Sequence, residues 1–177
     1  MTGVRKGLAK VEVGLRWDPS PAGTPPHDLD LVAAVYGAAD LHGVPLHLVH
    51  FGSRSPDGTI TLNRDSQTGQ GFGYDEVMTL ELDRMAPELR RVVVGVIIQD
   101  TGGGPRKTFA DIPGTGVRIR EGYTDLAQGG FDSVPAATAA TVAEFTREDS
   151  GIWSLDAGLR GFDAGPEEFT RTMGAVR

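Results

Sequence analysis

The nine residues RVVVGVIIQ, Arg91 to Gln99, set the architecture. The run is almost continuously apolar and β-branched, as expected of a central strand covered on both faces. Nearer the N-terminus, Val11-Glu12-Val13-Gly14-Leu15-Arg16-Trp17 alternates strictly between apolar and other residues, the pattern of a half-buried strand. Trp17 is in phase with Val11, Val13 and Leu15, which places it in the core. Further strand candidates are Leu29 to Tyr36, LHLVHF (Leu46–Phe51) and MTLEL (Met78–Leu82). Beyond the central run come GVRIREGY, ATAATVAEFTRE and IWSLDAGLRGF. Helix signals are few. MAPELRR suits one turn, and GPEEFTRTMGAV suits a short C-terminal helix, with Gly-Pro at its start and Phe169 and Met173 four apart. PSPAGTPPH, Pro19 to His27, is a proline-rich loop between two strands. The 25 glycines and 11 prolines are scattered, which suits short strands joined by tight turns. The expected architecture is all-β: a β-sandwich of two mainly antiparallel sheets with a short C-terminal helix, one domain over residues 1–177.

Composition narrows the function. With 39% hydrophobic and 23% charged residues in 177, the chain can bury a sizeable core. It has no cysteine, so disulfides, thiolate nucleophiles and cysteine-based metal sites are excluded. A net charge of −7 argues against nucleic acid as a partner, since phosphate binding needs a basic surface. No run reaches the ~18 apolar residues of a membrane span. The first residues lack an apolar stretch of signal-peptide length, so a cytoplasmic protein is expected.

Chemistry concentrates in DSQTGQGFGYDE, Asp65 to Glu76. Its G-x-G-x-G is not a dinucleotide fingerprint: residues 75–82 read as a strand rather than a helix, and the two closing acids repel a phosphate. It is not an EF-hand either, because the sixth position is Gln70 rather than glycine and strands flank it. Hard cations take six to eight oxygens, and this loop offers the side-chain oxygens of Asp65, Ser66, Gln67, Thr68, Asp75 and Glu76, with glycines to let carbonyls converge. On the loop alone a solvated hairpin and an ion-binding loop both stay open, the hairpin being favoured. A second element shifts the balance. Asp28 and Asp30 in HDLDL are two apart at the start of a strand, which puts both carboxylates on one face. Such neighbours repel unless a cation or base lies between them, and no Lys or Arg stands within nine residues.

The order GLRWD, DLDL, SPDG, RDSQTGQGFGYDE and VVVGVIIQD resembles the TerD family of tellurite-resistance and general stress proteins, from about Gly14 to Gly161. Asp28 and Asp30 match the family's two strand aspartates, and Asp65 matches the first aspartate of its long loop. Thr68, Gly69, Gly71 and Gly73 match the loop core, Asp75 and Glu76 its closing acids, and Asp100 the aspartate ending the central strand. The resemblance implies a non-enzymatic sandwich that binds one or two calcium ions, with Asp28, Asp30, Asp65, Ser66, Thr68, Gln70, Asp75 and Glu76 as the metal residues. It also implies a stress-response role and a protein partner or membrane-associated complex. Four residues depart from the pattern: Arg64 for a glycine, Ser66 for an asparagine, Tyr74 for an aspartate and His27 for an aromatic residue. Tyrosine is a poor calcium ligand at neutral pH, and arginine brings positive charge. The alternative is therefore a metal-independent interaction module that has lost one or both ion sites.

Rival chemistries find less support. On one strand His47 and His50 point to opposite faces, so with His42 they do not make a ready zinc set. Ser53 and Ser55 do not sit in G-x-S-x-G. Asp28 and Asp30 are too close along one strand to face each other across a sugar. TGGGPRK, Thr101 to Lys107, reads as a surface loop with a basic end.

Overall fold

The computed structural model describes residues 7–51, 53–64, 73–100 and 104–176, with the side chain of residue 64 outside the description. Among the described residues ten strands run in chain order: β1 (Lys10–Arg16), β2 (Leu29–Gly37), β3 (His47–Val49), β4 (Ile60–Arg64), β5 (Glu76–Glu81), β6 (Leu89–Ile98), β7 (Gly116–Glu121), β8 (Thr124–Gly130), β9 (Ala139–Arg147) and β10 (Trp153–Phe162). A short helix, α1 (Pro166–Thr172), comes after them. The strands form two five-stranded sheets, ordered β4-β5-β1-β7-β8 and β10-β9-β6-β2-β3. The ladders between them are antiparallel. This is the expected sandwich.

The central run does lie mid-sheet, and both of its faces are covered for different reasons. Val92, Val94, Val96 and Ile98 of β6 face the other sheet, with Leu29, Leu31, Ala33 and Val35 of β2. Val93 and Ile97, with Val32, Ala34 and Tyr36, face outward and are covered by Phe169 and Met173. Period-2 alternation vanishes here because α1 makes a second core on the outer face. Gly95 makes room for it: a Cβ there would stand 2.6 Å from Phe169 Cζ. Phe169 also meets Phe162 edge-on, with ring centroids 5.0 Å apart. α1 begins where its sequence directs, with Gly165 as N-cap and Pro166 in the first turn.

Arg91 closes the far end of this layer. It is 6% exposed. Its Nη1 donates to Leu41 O and Gly174 O, each at 2.8 Å, and its Nε donates to Glu144 at 2.7 Å.

Several boundaries differ from expectation, each for a local reason. The Leu46–Phe51 candidate shrinks to His47–Val49, because His50 and Ser53 exchange backbone hydrogen bonds and turn the chain. The Met78–Leu82 candidate stops at Glu81, where a 3-10 turn, Leu82–Arg84, begins. That turn precedes MAPELRR, whose Leu89 already lies in β6. GVRIREGY ends as a strand at Glu121, since Gly122 reverses the chain at φ 59°. Two strands went unread, β4 and β8, both at the edges of one sheet. β4 comes after the SPDG turn, in which Gly58 N donates to Ser55 O at 3.1 Å and Asp57 Oδ1 accepts from Thr59 N (3.1 Å) and Thr59 Oγ1 (2.7 Å). Among the described residues no helix is long and apolar enough to cross a membrane.

Candidate functional site

β1 ends, β2 begins, β5 begins and β6 ends at one end of the sandwich, because Leu15 pairs with Glu76 and Leu29 with Ile98. Three of the predicted acids are buried near that end, on different faces of the sheets. Asp30, Asp75 and Glu76 are 7%, 5% and 0% exposed.

Glu76 is the first inward position of β5, in phase with Met78 and Leu80, so its carboxylate enters the space between the sheets. It accepts a hydrogen bond from Leu31 N of the opposite sheet at 3.3 Å. The reason lies in the register. Val35 O accepts from Leu46 N, so odd-numbered residues of β2 present their backbone toward β3. β3 pairs with β2 only from Ala33 to Val35, leaving Leu31 beyond the ladder. Glu76 serves the amide that a longer β3 would have served, and it ties the two sheets together.

Asp75 does the same for β1. Its own N–H extends the ladder to Leu15 O (2.8 Å), while its Oδ2 accepts from Trp17 N at 2.9 Å. Trp17 Nε1 in turn donates to His27 O at 3.1 Å and draws the proline loop onto the sandwich end. Asp30 accepts from Gln99 Nε2 at 2.7 Å, and Gln99 N donates to Asp28 O at 2.8 Å, so one glutamine holds both members of the D-x-D pair. Asp28 itself stands half-buried just before β2. Asp100 is exposed just past β6.

The proline loop has a further anchor. Lys107 Nζ donates to Pro25 O (2.8 Å), Pro26 O (3.2 Å) and His27 Nδ1 (2.9 Å). Burial first, then the Lys107 charge, push the His27 imidazole below its ordinary value, against an upward pull from Asp111. Arg106 donates to Ile98 O and Ala164 O. The basic end of Thr101–Lys107 is thus turned inward, where sequence alone reads a surface loop.

Asp65, Ser66, Thr68 and Gln70 lie outside the described residues. Among the described residues no three His, Asp or Glu side chains stand together closely enough to hold a metal ion. In kind, the carboxylates of Asp30, Asp75 and Glu76 suit a hard cation, being buried oxygen donors that accept from neutral N–H groups. In number they fall short of a coordination shell, and ligands from residues 65–70 would be needed. The histidines serve elsewhere: His42 Nδ1 lies 3.4 Å from Gly174 O and His50 Nδ1 3.3 Å from Phe51 O. Ser53 Oγ donates to Leu48 O and Ser55 Oγ to Ile60 O. The hydrogen-bond donors Gln99, Trp17 and Leu31 were not legible as site residues, since nothing local marks an amide left over by a short strand.

The TerD domain family matches this chain over residues 1–172, which takes in every strand of the sandwich and the whole acidic end. The chain belongs to the TerD family. It is 27% identical over 165 residues to the tellurium resistance protein TerD of Serratia marcescens, covering 89% of this chain and 83% of that one. It is 26% identical over 175 residues to general stress protein 16U of Bacillus subtilis, covering 93% and 87%. A solved structure of a TerD homologue from Streptomyces coelicolor A3(2) superposes with a TM-score of 0.92 at 52% identity, covering 97% of this chain and all (100%) of that one. A second solved structure, of a protein of unknown function, superposes at 0.93 with 53% identity and the same coverage. The TerD sandwich is thus a shared fold.

Proposed function

We propose that this TerD-family protein is a non-enzymatic, cytoplasmic calcium-binding stress protein. In this reading an ion at the acidic end of the sandwich orders a surface for a protein partner or a membrane-associated complex. One observation supports this best: Asp30, Asp75 and Glu76 are each buried near the end of the sandwich where four strands begin or end. Burying carboxylates is costly, and a bound cation is one of the few things that offsets the cost. Asp28, Asp30, Asp75 and Glu76 would hold the ion from the sandwich, with Asp65, Ser66, Thr68 and Gln70 assigned from the sequence. The ion would supply positive charge. The chain's part is to position the oxygens: Gln99 orients Asp30, Trp17 N orients Asp75 and Leu31 N orients Glu76. The role in stress or tellurium resistance carries over from the names of the relatives.

A metal-independent interaction module is the second reading. It is favoured by the same hydrogen bonds, since Asp30, Asp75 and Glu76 each already have a donor from the protein, and by the lack of a complete ligand set among the described residues. Thermal unfolding of chelator-stripped protein separates the two. Calcium at about 100 times its Kd adds about 2.7 kcal/mol, a rise of roughly 5–10 °C for a chain of this size. Magnesium should do much less, and Asp30→Ala should abolish the calcium gain. An unchanged Tm with either ion would sink the calcium reading and leave the second.

A further inference from the structure

Gly14 is out of character with its strand. It takes an outward position of β1 between Glu12 and Arg16, which are exposed, yet it is buried. Tyr74 buries it. A Cβ at Gly14 would lie 2.9 Å from Tyr74 Cδ1 and 3.0 Å from Cγ, so the ring rests directly on the strand backbone. Glycine weakens a strand interior, and its presence there commonly marks the close approach of another group; an aromatic ring laid over a strand glycine restores the lost packing. Arg118 completes the arrangement. It is the cross-strand neighbour of Gly14 on β7, and its guanidinium carbon stands 4.3 Å from the Tyr74 ring centroid. The very next residue is Asp75, bonded through its N–H to Leu15 O and through its carboxylate to Trp17 N.

We infer that Tyr74, held between Gly14 and Arg118, is a positioning residue that fixes the chain entering β5 with no ion bound. Tyr74 grips the outer face of the sheet, so Asp75 and Glu76 are delivered to Trp17 N and Leu31 N by side-chain packing. Only the entry to β5 is concerned. This attachment needs no calcium and holds whether or not the protein binds it.

Hydrogen exchange at the Asp75 and Glu76 amides of the full chain, held in excess chelator, tests this. Tyr74→Ala should speed exchange at Asp75 by about tenfold or more, with β6 amides unchanged. Arg118→Met, which keeps the stem and loses the charge, should give a smaller acceleration at the same amides. Tyr74→Phe should restore wild-type exchange, because the ring face rather than the hydroxyl makes the contacts. Exchange at Asp75 within about twofold of wild type in Tyr74→Ala would overturn the inference. So would a Tyr74→Phe protein as fast as Tyr74→Ala. If Tyr74→Ala unfolds, Arg118→Met decides: no acceleration at Asp75 overturns it. The chelator keeps the result separate from calcium binding, which the thermal shift reads.

Discussion

Replacing Gly95 with alanine puts a methyl group where Phe169 already is. The added Cβ would meet Phe169 Cζ at 2.6 Å and Cε2 at 2.8 Å, and Ala140 O at 3.1 Å. Gly95 is in the middle of β6 with no unusual φ, so alanine also removes freedom from the unfolded chain, a gain of about 0.4–1 kcal/mol. Overpacking of a tight core costs about 1–3 kcal/mol. The net expectation is a loss of about 1–2 kcal/mol, or roughly 2–8 °C in Tm for a chain of this size. The crowded atoms are the far end of the ring, and leucine lacks both of them. In a Phe169→Leu background the same Gly95→Ala change should therefore cost close to nothing, leaving a coupling of about 1–2 kcal/mol. Ala140 O remains in place and bounds how complete the rescue can be. Denaturant unfolding read by fluorescence suits the measurement, since Trp17 and Trp153 are each 2% exposed in the native state. Equal costs for Gly95→Ala in the two backgrounds would show that Phe169 does not need the glycine.

The SPDG turn predicts a pH response. Burial alone would raise the Asp57 carboxyl, but hydrogen bonds from the Thr59 hydroxyl and amide outweigh it and hold it below its ordinary 3.8. The unfolded chain takes up this proton first, so the stability Asp57 contributes is present above about pH 3.8 and is lost as pH falls through the folded value. Thr59→Val should raise the Asp57 pKa in an NMR titration and flatten stability against pH in that window; an unmoved pKa would refute the assignment. Arg91→Met should release Leu41 O and Gly174 O, cost about 2–3 kcal/mol in denaturant unfolding and speed amide exchange at Met173 and Ala175. Unchanged exchange there would mean that Met173 packing alone holds the tail.

What could be read in advance tracked the depth of each strand. β1 and β6 sit mid-sheet, so their side chains answer to the core and their pattern shows it. β8 is a mostly exposed edge paired only to β7, so TDLAQGG carries almost no core signal. β4 is only five residues long, and its two inward residues, Ile60 and Leu62, are too few to establish a period. At the acidic end, charge density marked Asp30, Asp75 and Glu76. Their partners depended on where strands stop, as with Leu31 N left over by a three-residue β3, and that is a property of the assembled sheets. Gly14 and Gly95 lie inside runs that read as strands, and the reason for each glycine is an aromatic ring from a distant segment.

The helix packed on β2 and β6 also sets an order of events in time. A chain emerges from the ribosome N-terminus first, so both sheets can be complete once Phe162 has appeared. At that moment Val32, Ala34, Tyr36, Val93 and Ile97 form a bare apolar surface, because Phe169 and Met173 have not yet emerged to cover it. The nascent sandwich is adhesive until those few residues dock, and the interval between the emergence of residue 162 and that of residue 173 is when the protein is most open to the wrong contacts.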